Sequence, residues 1–240
     1  MILAIDCGNT RAKWGCHDGG RPGNGWRALG SLPLVDLGRL EAEWRSLAQP
    51  SAIAIAHVAG TSERAALESA LQRFHVQPIW VSARASQCGV TNAYADPAQL
   101  GADRWAALIG AWRMNRGPAL VVNAGTATTV DVLSSTGLFS GGLILPGLEL
   151  MKEALAARTA GLPLTRGEFA DLPRNTADAI ETGCLLAQAG AIERMHARLE
   201  PGSVCLLSGG AALRIAARLN MPVRVVENLV LEGLVQIASS

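Results

Sequence analysis

The sequence predicts an α/β protein built from two similar lobes around a cleft, on three observations. Short apolar strands alternate with amphipathic helices along the chain, as in mixed α/β folds. A strand that runs into Asp/Asn-x-Gly and a small polar residue occurs twice, at Asp6–Thr10 and at Asn123–Thr126. The breaker Asn-Arg-Gly-Pro at 115–118 lies between the copies. We interpret this as a weak internal duplication and predict an N-terminal lobe at 1–115 and a C-terminal lobe at 118–240.

The first lobe is predicted to begin with three strands, because apolar and turn residues alternate there. Leu37, Leu40, Trp44 and Leu47 recur at helical spacing. We expect Thr61 to cap a helix in which Arg64 and Glu68 pair, and Asp96 with Pro97 to start the long helix that follows. The predicted elements are strands at 2–5, 11–17, 25–29, 52–58 and 78–81, and helices at 36–48 and 61–74 and from Asp96 onward.

The second lobe repeats the opening strand pair and then becomes more helical. Asn175 or Thr176 is suited to cap the longest helix. Glycines after the last predicted strand indicate a tight turn into a further helix. The predicted elements are strands at 120–122, 128–133, 141–146 and 204–207, and helices at 149–158 and 176–199.

Composition excludes several classes of function. The 240 residues include 21 Lys plus Arg and 20 Asp plus Glu, a net charge of +1. That balance leaves no basic surface for nucleic acid or an anionic membrane. The five cysteines form no CxxC pair, which disfavours disulfides and zinc and favours a cytoplasmic location. Asp6 interrupts the N-terminal apolar run before a signal peptide is formed, and 132–148 is too broken by Gly, Ser and Pro for a membrane span.

Two turns are candidate phosphate loops. After a buried strand, a glycine lets a ligand approach the backbone, and neighbouring amide and hydroxyl groups bond phosphate oxygens. Gly8, Asn9 and Thr10 provide this set in the first turn, and Asp6 stands where it could hold Mg²⁺ or its waters. One such turn alone is equally well explained as an Asx-capped hairpin. The second turn, Asn-Ala-Gly-Thr-Ala-Thr-Thr from Asn123, favours the phosphate interpretation.

Two further segments are candidates on weaker grounds. Gly209 and Gly210 follow a strand and would let adenine or ribose lie against the backbone, although such turns are also ordinary connections. In Gly101-Ala102-Asp103-Arg104, Asp103 is a candidate general base and Arg104 a candidate fork for a substrate carboxylate. A solvated Asp–Arg pair is the alternative explanation.

Taken in order, these pieces resemble the type III pantothenate kinases. The matching residues cover nearly the whole chain: Asp6–Thr10, Tyr94, Gly101–Arg104, Gly125–Thr129, Gly142, Pro146-Gly147, Asn175-Thr176, Gly183 and Ser208–Gly210. The resemblance implies an actin-like ATPase fold with two RNase H-like lobes. It also implies a homodimer that transfers phosphate from ATP to the primary hydroxyl of pantothenate, the first step of coenzyme A synthesis.

The same resemblance implies roles for particular residues and cofactors. ATP with Mg²⁺ would lie on the segment from Asp6 through Lys13, including Arg11, and on Thr126 of the second lobe. Asp103 would accept the hydroxyl proton. Pantothenate would be held by Tyr94 and Gly101–Arg104, with Thr176 reaching it across a dimer interface. A monovalent cation, K⁺ or NH4⁺, would be required.

One residue departs from the family pattern. Asn123 stands where the family often has an aspartate that binds potassium, so the site would lack one negative charge. Asp131 is a candidate replacement charge, although strand alternation leaves its direction open. Two alternatives therefore remain: a non-catalytic regulatory or accessory protein on the same scaffold, and another actin-like enzyme such as a sugar kinase or an exopolyphosphatase-type phosphatase.

Overall fold

A computed structural model describes residues 1–159, 161–162 and 166–240. The chain divides into two compact units. Unit 1 comprises residues 1–116, 137–140 and 228–240, and unit 2 comprises residues 117–136 and 141–227. The division after Arg116 lies within the breaker at 115–118. Residues 137–140 and 228–240, which the sequence assigned to the second lobe, pack instead within unit 1.

The strands and helices are numbered in chain order. The strands are β1 (Ile2–Cys7), β2 (Arg11–His17), β3 (Trp26–Pro33), β4 (Ala52–His57), β5 (Ile79–Trp80), β6 (Ser86–Gln87), β7 (Val90–Asn92), β8 (Ala119–Ala124), β9 (Ala127–Leu133), β10 (Leu138–Pro146), β11 (Val204–Ser208) and β12 (Val223–Val225). The α-helices are α1 (Leu40–Glu43), α2 (Thr61–Leu71), α3 (Ala102–Met114), α4 (Leu148–Arg158), α5 (Thr176–His196), α6 (Ala212–Ala216) and α7 (Leu229–Ala238). Two 3-10 helices cover Leu34–Arg39 and Pro97–Gln99.

The two units repeat one sheet order. In unit 1 the order is β3-β2-β1-β4-β5, and in unit 2 it is β10-β9-β8-β11-β12. In each, the first strand pairs antiparallel with the second (β1 with β2, β8 with β9) and parallel with the fourth (β1 with β4, β8 with β11). The duplication seen in the sequence is therefore a duplication of topology. A short hairpin, β6–β7, joins unit 1 by pairing with the first residues of β10.

Each unit has its own apolar core. In unit 1, one face of the sheet packs with α1 and α2 around Leu3, Ile5 and Trp44, and α7 contacts β1 and β4. Gly110 of α3 and Gly233 of α7 permit close helix packing, because a Cβ at either would overlap backbone atoms of the other helix. This contact explains why 228–240 belongs to unit 1. In unit 2 the core joins β8, β9 and β11 to α4, α5 and α6.

Several predicted helix starts are corrected. Residues 36–48 form a 3-10 turn and then only α1, since Gly38 weakens a continuous helix. Gly60, not Thr61, precedes α2 as its N-cap. Asp96 caps the 3-10 helix Pro97–Gln99 by accepting a hydrogen bond from Ala98 N at 3.0 Å, and α3 begins later, after Gly101.

Other local predictions are confirmed. Arg64 Nε donates to Glu68 Oε1 at 2.9 Å along α2. Asn175 caps α5 by accepting a hydrogen bond from Asp178 N at 2.9 Å. The sequence did not predict β6, β7, β12 or α7. The three strands are too short to show periodicity, and the apolar residues of α7 form short runs, broken by Glu232 and Gln236, that fit a buried strand or a buried helix equally well.

Candidate active site

The first candidate loop closes the hairpin between β1 and β2 in unit 1. Gly8 N donates to Arg11 O at 3.1 Å, and Asn9 and Thr10 are exposed. A Cβ at Gly8 would lie 3.6 Å from its nearest neighbour, Arg11 O, which is ordinary contact. The fold therefore does not itself require glycine here. The Arg11 guanidinium is bonded to Ser31, with Nε donating to Oγ at 3.0 Å and Nη2 to the carbonyl at 3.3 Å.

The second candidate loop, between β8 and β9 in unit 2, is one residue shorter than the first. Gly125 N donates to Ala127 O at 3.1 Å, and a Cβ at Gly125 would again lie 3.6 Å from that oxygen. Thr126 is exposed at the tip of the turn. In both turns the glycine N–H donates to the carbonyl of the first residue of the next strand, but this bond spans three residues in the first turn and two in the second.

A perturbed carboxylate stands directly before the first loop. Asp6 lies opposite Lys13 in the β1–β2 ladder. Burial, and to a smaller extent the negative charge of Asp103, raise the pKa of Asp6 to about 7 against the opposing charge of Lys13. The two carboxylates proposed for opposite ends of phosphoryl transfer thus influence each other electrostatically. A perturbed acid beside a second acid is a common property of functional sites.

The residues proposed to bind the acceptor substrate come together in unit 1. Asp103 lies in the first turn of α3, where Oδ1 accepts a hydrogen bond from Arg104 N at 2.8 Å. The Arg104 side chain is buried and its Nη1 donates to the hydroxyl of Tyr94 at 3.3 Å. The guanidinium also lies 5.8 Å from the ring of Phe139, and that ring is 5.1 Å from the ring of Tyr94. Gly101 is the N-cap of α3 and Ala102 is the first residue of that helix, so both directly precede Asp103.

Asn92 and Phe139 contribute to this cluster and were not predicted. Asn92 Oδ1 accepts a hydrogen bond from Tyr94 N at 3.0 Å, and its Nδ2 donates to Pro97 O at 3.3 Å. Asn92 therefore fixes the segment that leads from Tyr94 toward α3. The spacing Asn-x-Tyr was the available signal for Asn92. Phe139 had none, because it reaches the cluster only through the pairing of β10 with β7.

In unit 2, three glycine-containing segments meet at the carboxyl ends of β8, β10 and β11. Gly147 N donates to Thr126 O at 2.8 Å, and Ala211 N donates to Ala124 O at 3.1 Å. Gly209 has φ +103°, and a Cβ there would overlap the backbone of Ala124. Gly209 is thus required by packing, whereas a Cβ at Gly210 would meet no other described atom within 4 Å. The Gly209-Gly210 turn therefore adjoins the second candidate loop.

The face of β8 that carries Asn123 is rich in oxygen ligands. Asn123 pairs with Thr129 on β9 and with Ser208 on β11, so these three side chains share a face. Asp131 lies two residues beyond Thr129 and shares that face, which resolves the direction that alternation left open. Asp131 is buried, and a Cβ at Gly142 would overlap its carboxylate. Amide, hydroxyl and carboxylate oxygens have the chemistry that a hard monovalent cation needs.

Thr176 begins α5 in unit 2 and is exposed. It lies at an apolar groove of about 400 Å³, whose lining includes Met151, Leu155, Ile180 and Gly183. Thr176, Thr126 and Asn123 belong to unit 2, whereas Asp6, Tyr94 and Asp103 belong to unit 1.

The described residues contain neither a cluster of metal-ligating side chains nor a helix suited to span a membrane. No group of three or more His, Cys, Asp or Glu side chains is arranged around a common metal position among them. In the same part of the chain, no helix combines the length and apolar character that crossing a membrane demands.

Solved structures share the fold. A Campylobacter jejuni protein described as a Baf family transcriptional activator superposes with a TM-score of 0.63 at 19% identity, over 99% of this chain and 97% of that one. A Sinorhizobium meliloti protein described as a 2-dehydro-3-deoxygalactonokinase gives 0.57 at 16% identity, over 100% and 98%. With the duplicated sheet order, these matches confirm the predicted α/β, actin-like ATPase fold, which includes sugar kinases.

Sequence comparison narrows the class. The family model for type III pantothenate kinases matches residues 2–198. Relatives described as type III pantothenate kinases come from Nitrosospira multiformis, at 48% identity over 99% of this chain and 91% of that protein, and from Aromatoleum aromaticum, at 51% over 99% and 98%. The chain belongs to the type III pantothenate kinases.

Proposed function

We propose that this protein transfers the γ-phosphoryl group of ATP to the primary hydroxyl of pantothenate, the first step of coenzyme A synthesis. Family membership supports the reaction. The observation that assigns the reaction to particular residues is the cluster of Asp103, Arg104 and Tyr94 in unit 1. The charge of Asp103 also acts on Asp6, which lies beside the first loop. A base, a carboxylate-binding cation and a phosphate turn therefore belong to one compact unit.

In this proposal the hydroxyl oxygen of pantothenate attacks the γ-phosphorus. A new P–O bond forms, the bond to the bridging oxygen of ADP breaks, and the hydroxyl proton passes to the carboxylate of Asp103. Arg104 holds the pantothenate carboxylate, and Tyr94 with the backbone of Gly101 and Ala102 completes the acceptor pocket. Because the transition state has little covalent character to stabilise, positioning supplies most of the rate.

ATP is held by backbone N–H groups and small polar side chains. Gly8, Asn9 and Thr10 bind phosphate oxygens from unit 1, with Arg11 and Lys13 as flanking cations. Thr126 binds from unit 2, and the Gly209-Gly210 turn receives the adenosine part. The open space beside Gly8 and Gly125 is what close approach of a phosphate requires.

The residues present fit both proposed metal ions. Asp6 would hold Mg²⁺ through water. Burial and repulsion from Asp103 raise the pKa of Asp6, and a divalent cation would offset both effects because it stabilises the ionised carboxylate. The chemistry that Mg²⁺ supplies when bound is neutralisation of phosphate charge. The oxygens of Asn123 and its neighbours on β8, β9 and β11 would hold K⁺ or NH4⁺, and Asp131 on the same face provides the charge that Asn123 lacks.

The homodimer is supported by an exposed stripe on α5, formed by Ala179, Gly183, Leu186 and Gly190 and hereafter called the α5 stripe. Leu186 is 50% exposed, and a Cβ at either glycine would meet no described atom within 4 Å. Glycine within a helix costs about 1 kcal/mol relative to alanine, and packing against the described residues does not explain these two glycines. Contact with a second copy does, and it lies near Thr176.

A cytoplasmic location completes the proposal. All five cysteines are free thiols and four of them are buried. Free buried thiols are typical of a reducing compartment.

The first prediction tests the base. Asp103→Asn should lower turnover by roughly 10²–10⁴-fold, the usual contribution of a general base. Binding of ATP and pantothenate should persist because the amide keeps the size of the carboxylate. The measurement is coupled ADP release with and without pantothenate, with calorimetric binding of both substrates to the variant. Turnover within a few-fold of the parent would remove Asp103 from the mechanism, and ADP release independent of pantothenate would contradict the proposed acceptor.

A further inference from the structure

Lys152 is one of only two lysines in the chain. It lies in the first turns of α4, shortly after Gly147, where a lysine could be expected to bind a phosphate group. Its Nζ is 2.7 Å from Glu149 Oε2 and 3.2 Å from Glu181 Oε2, and its side chain is only 11% exposed. The ammonium group is thus engaged by two carboxylates of its own unit.

Arg214 completes a closed ionic cluster. From α6, its Nη1 lies 2.7 Å from Glu149 Oε1, and its Nη2 donates a short hydrogen bond to Glu181 Oε1. Burial alone would raise the pKa of Glu149, but the bonds from Lys152 and Arg214 outweigh it and lower that pKa. We call Glu149, Lys152, Glu181 and Arg214 the Glu181 tetrad. It links α4, α5 and α6 with two positive and two negative groups.

The three linked helices all adjoin the second candidate loop. The residues that start α4 and α6 bond its backbone, through Gly147 N to Thr126 O and Ala211 N to Ala124 O. From α5, Gln188 Nε2 donates to Pro146 O at 2.7 Å, just before Gly147. A shift of α4 relative to α6 would therefore change the loop that they hold from two sides.

We propose that Glu181 is a positioning residue for the nucleotide, which fixes the second phosphate turn by clamping Lys152 of α4 and Arg214 of α6. The proposal rests on the placement of ATP at Thr126 and at Gly209-Gly210 under the proposed function. A buried ion cluster is often no more stabilising than apolar side chains of similar size. Its directional bonds fix helix positions, which apolar packing does less well.

The principal test is Glu181→Gln, which keeps the shape and removes the charge. We expect the KM for ATP and the Kd for ADP to rise at least fivefold, while kcat and the KM for pantothenate stay within twofold. A merely structural role would lower the active fraction and leave both KM values unchanged. The matched control is Glu68→Gln, which breaks the exposed pair with Arg64 in unit 1 and should change none of these constants.

Two further variants keep the outcome interpretable. Thr126→Val should raise the KM for ATP on its own, and if it does not, the proposed nucleotide site is wrong independently of Glu181. If Glu181→Gln does not fold, Lys152→Met with Glu181→Leu replaces the buried pair by apolar groups and should still raise the KM for ATP. A folded Glu181 variant with parental ATP and ADP constants, beside a Thr126→Val variant that is impaired, would overturn the positioning role.

Discussion

At the scale of single residues, Asp6 connects stability to the proposed chemistry. Its pKa of about 7 lies well above the ordinary value of 3.8 because of burial and the charge of Asp103. Between those two pH values the folded protein binds more protons at Asp6 than the unfolded chain does. Stability must therefore fall as pH rises across this interval. The ionised form of Asp6 that the proposed Mg²⁺ site would use is the form that burial and the charge of Asp103 disfavour.

The second prediction follows from this decrease in stability with rising pH. In the absence of nucleotide and Mg²⁺, Asp6→Asn should be more stable than the parent at pH 8, with a smaller difference at pH 5. Since one pKa unit corresponds to about 1.4 kcal/mol, the gain should be roughly 1–3 kcal/mol. Urea unfolding at both pH values measures it, and Asp103→Asn should give a partial gain. A variant less stable than the parent at pH 8 would show that Asp6 is ionised and paired in the apo protein.

Asn123 carries the third prediction. Asn123→Asp places a carboxylate on the oxygen-rich face of β8, beside Thr129 and Ser208. Carboxylates offset the dehydration of a cation better than amides do, so the variant should reach full activity at a lower potassium concentration. Potassium titration of the parent and the variant, at constant ionic strength with sodium, measures this. Identical titrations, or full activity in both proteins without any monovalent ion, would contradict a cation site at this turn.

At the scale of elements, the two phosphate turns carry the fourth prediction. Gly8→Ala and Gly125→Ala should each change the unfolding free energy by no more than about 0.5 kcal/mol, because the added methyl group meets only ordinary contacts. Each should raise the KM for ATP about tenfold or more, equivalent to about 1.4 kcal/mol of binding, by occupying space meant for phosphate.

Gly209→Ala is the contrasting control. Its positive φ and the overlap with Ala124 should destabilise the protein by roughly 1–3 kcal/mol. Urea unfolding and ATP kinetics on the three variants separate fold from ligand. A parental KM for ATP in both Gly8→Ala and Gly125→Ala would show that phosphate does not approach these turns closely.

The elements also show what sequence could and could not provide. Strand-to-glycine turns are local patterns, so Asp6–Thr10, Asn123–Thr126 and the cap at Asn175 were recognisable. The α3–α7 contact depends on Gly110 and Gly233, which are far apart in the chain, and helix periodicity does not encode a partner. Phe139 likewise reaches Tyr94 only through strand pairing. Motifs made of neighbouring residues could be recognised in the sequence, whereas contacts between residues far apart in the chain could not be predicted.

At the scale of the whole molecule, the duplicated sheet order explains why each of the two units has its own proposed phosphate turn. Two copies of one sheet order place a proposed phosphate turn after the first strand of each unit. The copies then diverged at equivalent positions, since each of Asp6 and Asn123 is the penultimate residue of its strand. The first copy retains a carboxylate suited to Mg²⁺, and the second has an amide among hydroxyl groups. Under the proposed function, this difference between the two turns would provide a site for Mg²⁺ at the first and for a monovalent cation at the second.

The fifth prediction concerns assembly. The parent should have twice the 25.0 kDa mass of the chain in light scattering after size-exclusion chromatography. Gly183→Glu adds a charge to the α5 stripe, where the helix itself has open space, so the fold should persist while the dimer dissociates. Burying an unpaired carboxylate in an interface costs several kcal/mol. If Thr176 reaches the pantothenate of the other subunit, the monomer should also have a raised KM for pantothenate and an almost unchanged KM for ATP.

Leu213→Glu is the matched control, since Leu213 is 75% exposed on α6, which is also in unit 2, and is not a member of the α5 stripe. It should remain dimeric with parental kinetics. A monomeric parent would contradict the proposed homodimer. A Gly183→Glu protein that is still dimeric would show that the α5 stripe is not the dimer interface. A monomeric Gly183→Glu with parental pantothenate kinetics would keep the interface and exclude Thr176 from the acceptor site. Gly183 and Gly190 of α5 would then serve dimer contact alone, because no contact with the described residues of the chain requires a glycine at either position.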